Sequence, residues 1–467
     1  MYPPLTSIAD RIIQLLRKCS SRVHMHQIQN QIILHRLHCD STIAHHFISA
    51  CEDLCLLCLC LPLFFTRLQR PHLFTCNTLL KAFSHAQVSN IPFEIYAHMH
   101  KTSTLPNNYT YPFLLKSLSD FKKFKQALCV HTHVVKLGHL LDIYVQNSLL
   151  NVYASCGKMK LCRKMFDEML ERDVVSWTVM IMGYRNAGKY DDALIAFERM
   201  LSAGIVPNRV TMVNVLTACA NFGAIEMGIW IHDFIRKNEW ELDVVVGTSL
   251  IDMYLRCGRI DEGLNVFRSM KRKNTFTWNV VIKGLAFAER GQEAIWLFNR
   301  MEQDGFKADE VTFVNVLSAC SHSGLVDIGR KIFSSLVGGK YGVSPNAKHY
   351  ACMIDLFARA GCLGEAFKFI NEMPFQPTES MWVSLLAGCR SHENLELSEI
   401  VGKKLVEVNP ESSVYYVALS NLYADMGRWN DVAKVRELMK ERGLKKDSGC
   451  SSVKSENQEL EYGSLMQ

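Results

Sequence analysis

The feature that most constrains the fold of this chain is an internal repeat of 101 residues. At this spacing Trp177 recurs as Trp278 and Cys156 recurs as Cys257. The same shift superposes further identical pairs: Tyr153/Tyr254, Gly157/Gly258, Phe166/Phe267, Met200/Met301, Gly204/Gly305, Cys219/Cys320 and His131/His232. Each period divides into units of 35, 35 and 31 residues. Self-similarity at a short fixed period is the sequence signature of a repeat array.

Each unit shows the pattern of two amphipathic helices, as the unit 174–208 illustrates. Its first apolar stripe has the spacing i, i+3, i+4 and i+7: Trp177, Met180, Ile181 and Tyr184. Gly188 follows, where a helix end favours a left-handed residue. A second stripe runs to Gly204 and Pro207 and comprises Ala193, Leu194, Phe197, Met200 and Leu201.

A hairpin of this size cannot bury both stripes alone, so neighbouring units must stack. We therefore predict an all-α fold, a right-handed α-solenoid superhelix of stacked helix-turn-helix repeats with an extended concave face. No segment shows a strand pattern. The regular units are 73–107, 108–142, 143–173, 174–208, 209–243, 244–274 and 275–309, followed by 310–346 and 347–378 with small insertions.

Composition excludes several classes of protein. The chain is 48% hydrophobic and 21% charged, with 12 prolines, which excludes wholesale disorder. The longest apolar run, 54–65, is shorter than the roughly 20 residues of a spanning helix, so no membrane segment is predicted. The sequence shows no secretory leader, so the 17 cysteines are interpreted as reduced thiols. A net charge of +6 permits a nucleic-acid partner without requiring one.

The first fifty residues contain only two acidic residues, Asp10 and Asp40, against five basic ones: Arg11, Arg17, Lys18, Arg22 and Arg36. A start that is poor in acids and contains arginine is typical of an organellar transit segment. A degenerate first repeat is the alternative, and both interpretations can hold together.

Two groups of cysteine and histidine residues could suggest a metal site. The first is Cys51, Cys55 and Cys58, spaced as i, i+4 and i+7, with Cys60 nearby. No second Cys/His pair lies at finger spacing, so a cysteine-rich core helix is the preferred interpretation. The second group, Cys129, His131 and His133, falls on different faces of a predicted helix, and the repeat of His131 as His232 favours packing. No metal and no cofactor are predicted.

The 35/35/31 alternation, with segments such as VVSWTVMIMGYRNAGKYDDALIAFERMLSAGIVPN, resembles the plant pentatricopeptide-repeat (PPR) family. More narrowly, it is similar to the subfamily built from P, L and S triplets, over residues 41–446. The resemblance implies the following assignment: P repeats 73–107, 174–208 and 275–309; L repeats 108–142, 209–243 and 310–346; S repeats 143–173, 244–274 and 347–378. Residues 1–40 would hold the transit segment and a degenerate L-type repeat, and 41–72 a degenerate S-type repeat.

The C-terminal residues resemble the E motifs of editing-type members, with E1 at 379–412 and E2 at 413–446. Residues 447–467 are interpreted as a truncated tail, in which Ser452 stands where the family usually has tryptophan.

Catalytic members carry a zinc deaminase with the signature H-x-E followed by P-C-x-x-C. No histidine here is followed two residues later by glutamate, and the only C-x-x-C, 55–58, lacks the proline. The chain is therefore predicted not to be an enzyme.

The resemblance implies a reader of single-stranded RNA that recognises one base per repeat through the fifth and final residues. The predicted reading pairs are Asn77/Asn107 for C or U, Asn147/Asp173 for U, Thr178/Asn208 for A, Thr248/Asn274 for A and Asn279/Asp309 for U. Four pairs fit no rule: Pro112/Asp142, Val213/Asp243, Val314/Asn346 and Ala351/Thr378. The predicted target is 5′-Y-n-U-A-n-A-U-n-n-3′.

In the family, the second residue of each repeat packs against the bases. Here these residues are Phe74, Tyr109, Tyr144, Val175, Val210, Val245, Phe276 and Val311, followed by Lys348. An aromatic or β-branched side chain would bury a base face. The alternative is that these residues only pack the start of each first helix.

The resulting prediction is an organellar RNA-binding protein, mitochondrial with the chloroplast as the alternative, that specifies a cytidine for C-to-U editing. The resemblance implies a deaminase-bearing PPR partner and other editing factors docking near residues 379–446, with the edited C four nucleotides downstream of the base under the last S repeat. Two alternatives are an RNA-binding factor for transcript stabilisation, splicing or translation, and a protein-binding α-solenoid scaffold.

Overall fold

A computed structural model describes residues 8–67, 71–86 and 88–445. Across these ranges all regular structure is helical and there is no strand, which confirms the predicted all-α class. None of the helices in the described part of the chain is long and apolar enough to cross a membrane. The predicted tail 447–467 lies outside the described residues, as do residues 1–7 of the predicted transit segment.

The chain divides into two compact units, residues 1–241 and 242–467. The helices of the first unit are α1 (Ile8–Arg17), α2 (Arg22–Leu34), α3 (Ser41–Asp53), α4 (Cys60–Pro62), α5 (Leu73–His85), α6 (Ile91–Lys101), α7 (Thr110–Asp120), α8 (Phe124–Lys136), α9 (Ile143–Ser155), α10 (Met159–Glu168), α11 (Val174–Asn186), α12 (Tyr190–Ser202), α13 (Arg209–Phe222) and α14 (Ile225–Lys237). The helices of the second unit are α15 (Val244–Arg256), α16 (Ile260–Ser269), α17 (Thr275–Phe287), α18 (Gly291–Gln303), α19 (Glu310–His322), α20 (Val326–Val337), α21 (Ala347–Arg359), α22 (Leu363–Glu372), α23 (Glu379–Ser391), α24 (Leu395–Val408), α25 (Ser413–Asp425) and α26 (Trp429–Glu441).

The apolar stripes predicted for the unit 174–208 form its core. The four stripe residues of α11 are all buried, and so are Ala193, Leu194, Phe197 and Met200 of α12, whereas Leu201, the last residue predicted for that stripe, is only half-buried. Gly188 and Gly204 adopt φ angles of 70° and 72°, the left-handed conformation expected after a helix end. Hydrophobic periodicity therefore determines which face of each helix is buried, and the two glycines mark where the helices end.

Neighbouring hairpins stack through their first helices, as a solenoid requires. In the first unit α5, α7, α9, α11 and α13 contact one another in succession, and in the second unit α15, α17, α19, α21 and α23 do the same. Second helices also pack on the first helix of the following repeat, as α12 does on α13 and α18 on α19. The starts of successive first helices therefore lie side by side.

The segment after α3 does not form the predicted cysteine-rich helix. The helix ends at Asp53, and Cys55 adopts a φ of 56°, so the i, i+4, i+7 spacing no longer places the cysteines on one face. A 3-10 turn at Leu57–Leu59, the short α4 and a π-helical segment at Leu63–Arg67 follow. Cys51 and Cys60 are buried, whereas Cys55 and Cys58 are exposed. Among the described residues no group of three or more His, Cys, Asp or Glu side chains could hold a metal ion.

The first helix after the regular repeats, α23, packs closely on α21. A Cβ atom added at Gly388 would lie 2.7 Å from both the Cβ and the backbone oxygen of Ala358. Because one of these atoms belongs to the backbone, the contact can be relieved only by moving a helix. The absence of a side chain at Gly388 therefore sets the distance between the two helices.

We predict that Gly388→Ala lowers the melting temperature, since overpacking of this kind costs about 1–3 kcal/mol. Thermal unfolding followed by circular dichroism measures the effect. Gly364→Ala is the matched control, because an added Cβ there meets no atom within 4 Å. Equal melting temperatures for the two variants would contradict the close packing of α23 on α21.

Candidate functional site

The final residue of most repeats caps the first helix of the next one. Side-chain oxygens of Asp173, Asn208, Asn274 and Asp309 accept hydrogen bonds from the backbone N–H three residues later, at 2.8–2.9 Å. Asn107 accepts in the same way from the backbone N–H of residues 109 and 110, at 3.2 Å. Such a cap satisfies amides that the helix leaves without partners, and it restricts the residue type largely to Asn, Asp, Ser or Thr.

Three of the predicted reading pairs are joined by a direct hydrogen bond. The side-chain amide of Asn77 donates to Asn107 Oδ1 at 3.2 Å. Asn147 donates to Asp173 Oδ1 at 3.1 Å, and Asn279 donates to Asp309 Oδ1 at 3.0 Å. Stacking of parallel first helices therefore brings the fifth residue of one repeat onto the cap of the next helix.

The two threonine pairs are joined through a third side chain. Thr178 Oγ1 lies 2.7 Å from Thr211 Oγ1, which donates to Asn208 Oδ1 at 3.0 Å. The same chain of contacts links Thr248 to Asn274 through Thr277, with both distances 2.9 Å.

The structure thus brings all five predicted pairs together. The sequence predictions missed the hydroxyl residues Thr110, Thr211, Thr277 and Thr312 that contact the pairs. The signal that could have revealed them is the recurrence of threonine at the third position of the repeat, where it completes a capping box.

The final residues of the repeats differ in the side-chain group that is left, after helix capping, to bind a ligand. In Asn208 and Asn274 the amide oxygen is used for capping, and the Nδ2 group donates to no other residue within the described ranges. At Asp309, burial acts to raise the pKa, but hydrogen bonds from Thr312, Asn279 and Val311 outweigh it and hold the pKa below its usual value. Asn therefore offers a donor at this position, whereas Asp offers only acceptors.

The repeats that fit no reading rule have a different geometry. Their fifth residues, Pro112, Val213, Val314 and Ala351, have no polar side-chain group. Asp142 caps α9 but receives a hydrogen bond from Asn108 at 3.0 Å, and Asn346 caps α21 and donates to Glu310 at 3.0 Å. Thr378 makes no capping bond to α23.

The second residues of the repeats are exposed. Their exposed fractions range from 45% for Val175 to 73% for Tyr144 across the set Phe74, Tyr109, Tyr144, Val175, Val210, Val245, Phe276 and Val311. Lys348, which ends the series, is also exposed. These apolar side chains are therefore largely exposed to solvent near the reading pairs.

Reading pairs and second residues line one cavity of about 740 Å³ in the first unit. Its walls include both pairs of two successive repeats and the second residues around them: Asn147, Asp173, Thr178, Asn208, Tyr109, Tyr144, Val175 and Val210. The volume is in the range typical of ligand sites, and the lining combines apolar walls with a few polar groups.

Comparison with known proteins identifies the family. The PPR repeat model matches residues 147–174, 248–275 and 349–375, and the PPR repeat family model matches 172–221 and 273–322. The pentatricopeptide repeat domain model matches residues 69–120, and the E motif model matches 392–454. A pentatricopeptide repeat-containing protein of Arabidopsis thaliana is 36% identical over 471 residues, covering 97% of this chain and 100% of the relative. The chain belongs to the pentatricopeptide repeat family. It is an E-type member of the PLS subfamily.

Other PPR relatives are longer than this chain. A second Arabidopsis thaliana pentatricopeptide repeat-containing protein is 36% identical over 391 residues, which are 83% of this chain and 64% of the relative. A chloroplastic one from the same plant is 39% identical over 357 residues, which are 76% of this chain and 48% of the relative. The chain thus spans about half to two thirds of the length of these two relatives.

Solved PPR structures share the fold. The crystal structure of the pentatricopeptide repeat protein PPR10 in complex with an 18-nt psaJ RNA element has a TM-score of 0.73 at 17% identity, covering 93% of this chain and 64% of PPR10. The crystal structure of the pentatricopeptide repeat protein PPR10 from maize has a TM-score of 0.55 at 17% identity, covering 95% of this chain and 74% of PPR10. At this identity the likeness concerns the fold, and it confirms the predicted α-solenoid.

We predict that Asp309→Ala destabilises the protein by about 1–2 kcal/mol, because it removes a helix cap and the acceptor for Asn279. Asp309→Asn keeps the capping oxygen and should retain most of the stability. Urea unfolding of both variants beside the unaltered protein measures the difference. A neutral alanine variant, or an asparagine variant as unstable as the alanine one, would refute the capping role.

Proposed function

We propose that this chain binds single-stranded RNA in an organelle, reading one base per repeat, and specifies a site for C-to-U editing. The observation that carries the proposal is the pairing of fifth and final residues beside exposed apolar second residues, in the cavity lined by residues between Asn108 and Val210. Polar edges flanked by apolar walls suit a planar base with a hydrogen-bonding rim.

Each part of the site would recognise a different part of the nucleotide. The second residues of neighbouring repeats would contact the two faces of a base, with aromatic stacking worth about 1–3 kcal/mol per base. The pair would contact the base edge. The N3–H of uracil suits the carboxylate of Asp173 or Asp309, whereas the amide donor of Asn208 or Asn274 suits a ring nitrogen of adenine. The proposed target is accordingly 5′-Y-n-U-A-n-A-U-n-n-3′.

The E motif supports editing over the other uses of RNA binding. We propose that a deaminase-bearing PPR partner, with other editing factors, docks near residues 379–446 and supplies the chemistry. This region presents exposed apolar side chains at Val383, Leu395, Ile400, Val408, Val414, Trp429 and Leu438. Stabilisation, splicing or translation of a transcript would need only the repeats, and an α-solenoid scaffold would need no base-reading pairs.

The organelle is proposed from the acid-poor start and from the names of relatives. One Arabidopsis thaliana relative is described as chloroplastic, and another is described as chloroplastic/mitochondrial. A mitochondrial location is preferred, with the chloroplast as the alternative.

We predict that the full chain prefers the target RNA over the same RNA with both A positions changed to G, in gel-shift assays across a salt series. Asn208→Asp with Asn274→Asp should reverse this preference by about tenfold or more, because a carboxylate accepts from the N1–H of guanine. The matched control, Asp142→Asn, changes a final residue in an L repeat and should leave the preference unaltered. Absence of RNA binding at moderate salt would refute the proposal and favour the scaffold.

We predict that cells lacking this protein retain an unedited C four nucleotides downstream of the base under the last S repeat, at transcript positions matching the target. Sequencing of organellar transcripts measures the edited fraction, and sites that do not match the target serve as internal controls. Complete editing together with loss of the bound transcript would instead indicate stabilisation.

A further inference from the structure

A buried hydroxyl lies at the third position of the repeat that follows each reading pair. The five residues are Thr110, Ser176, Thr211, Thr277 and Thr312, and each is 0% exposed. A hydroxyl buried this completely needs a hydrogen-bond partner inside the protein. The hydrogen-bond partners of this hydroxyl therefore have to come from the neighbouring residues of the protein.

The occurrence of this hydroxyl follows the chemistry of the preceding fifth residue. Between residues 73 and 378 it is present after every polar fifth residue, namely Asn77, Asn147, Thr178, Thr248 and Asn279. After the apolar fifth residues Pro112, Val213 and Val314 the third position is instead Val145, Val246 and His349. A role confined to helix capping would give no such correspondence, because Asp142 and Asp243 also cap helices.

Thr312 shows what the hydroxyl does at an asparagine pair. Its Oγ1 lies 2.7 Å from Asn279 Oδ1 and 2.8 Å from Asp309 Oδ1. Meanwhile Asn279 Nδ2 donates to Asp309 Oδ1. Rotating the amide by half a turn would point its oxygen at the carboxylate. The hydroxyl and the carboxylate therefore fix both ends of the Asn279 amide.

Thr110 makes the same arrangement at the first pair. Its Oγ1 lies 2.8 Å from Asn77 Oδ1 and 3.0 Å from Asn107 Oδ1. Two asparagine pairs at distant places in the chain thus share one geometry.

Ser176 departs from this arrangement. Its hydroxyl donates to the backbone oxygen of Asp173 at 2.8 Å. As a result, Asn147 Oδ1 is buried without a hydrogen-bond partner in the described part of the chain. Asn147 is 7% exposed and lines the cavity, and its amide is held at one end only, by Asp173. The pairs Asn147/Asp173 and Asn279/Asp309 have identical residues but different constraints.

We propose that the third residue of the following repeat is a positioning residue for base reading, which fixes the orientation of the fifth side chain. This inference rests on the proposed RNA-binding function. A fixed amide presents one hydrogen-bonding pattern, and uracil and cytosine differ by an O4 acceptor against an N4 donor. Repeat 275–309, held by Thr312, therefore discriminates U from C more strongly than repeat 143–173, where Ser176 leaves the amide free at one end.

The test measures affinity of the full chain for the target RNA and for versions with C at the third or the seventh nucleotide. Thr312→Val should reduce the U-over-C ratio at the seventh nucleotide by roughly three- to tenfold, the equivalent of one hydrogen bond. The ratio at the third nucleotide should stay unchanged. Thr312→Ser should give an intermediate ratio at the seventh nucleotide, because a serine hydroxyl at this position can donate to the preceding backbone oxygen, as Ser176 does to Asp173. In the unaltered protein the U-over-C ratio should be larger at the seventh nucleotide than at the third.

A purely structural role gives a different result. Thr312→Val would then weaken binding to all RNAs alike and lower the melting temperature, with the ratio at the seventh nucleotide unchanged, and this outcome overturns the inference. Equal ratios at the two nucleotides in the unaltered protein overturn the assignment for Ser176. If the unaltered protein binds none of these RNAs, the proposed function itself fails.

Discussion

The cap at each junction between repeats is the interaction on which the rest of the site depends. A first helix must have its initial amides satisfied, and the residue available to do so is the last one of the preceding repeat. At Asn208 and Asp309 one side-chain oxygen is committed to this task. The remaining group, an amide NH2 or a carboxylate oxygen, is then held at a defined place beside the fifth residue of the same repeat. A requirement of folding thereby produces a set of oriented polar groups, one at the end of most repeats.

Stacking of first helices determines where the apolar groups go. The stripe that includes Trp177 and Ile181 is buried between neighbouring hairpins, so the second residue of the same helix, Val175, points out of the core and is 45% exposed. Because each hairpin contacts mainly its neighbours, the same division between buried stripe and exposed second residue recurs along each unit. A surface on which the same exposed residues recur along the unit suits an extended polymer better than a compact ligand.

Sequence could predict the features that repeat. Periodicity predicted the helices, and the resemblance to the PPR family predicted the pair of Asn147 and Asp173, which the structure joins by a hydrogen bond. Sequence could not decide whether Tyr144 packs a helix start or faces solvent, because an apolar residue suits both places. The recurrence of threonine at the third position signals a capping role for Thr312, but its contact with Asn279, 33 residues away in the chain, depends on how the repeats stack.

The segment around Cys55 is a place where the helix predicted from the sequence was wrong. Its spacing is compatible with a helix, but the left-handed conformation of Cys55 ends that helix earlier, and helical spacing alone does not require a helix to continue. Irregular segments of this kind have no second copy in the chain against which a pattern could be checked.

Photo-crosslinking of 4-thiouridine in the target RNA, mapped on the protein by mass spectrometry, tests the central claim most directly. With the label at the third nucleotide, the adduct should lie on Tyr144 or Val175, the second residues on either side of that base. With the label at the seventh nucleotide, it should lie on Phe276 or Val311. Adducts on the second helices, such as at Leu128 or Trp296, or adducts displaced by one repeat at both nucleotides, would contradict the one-base-per-repeat account.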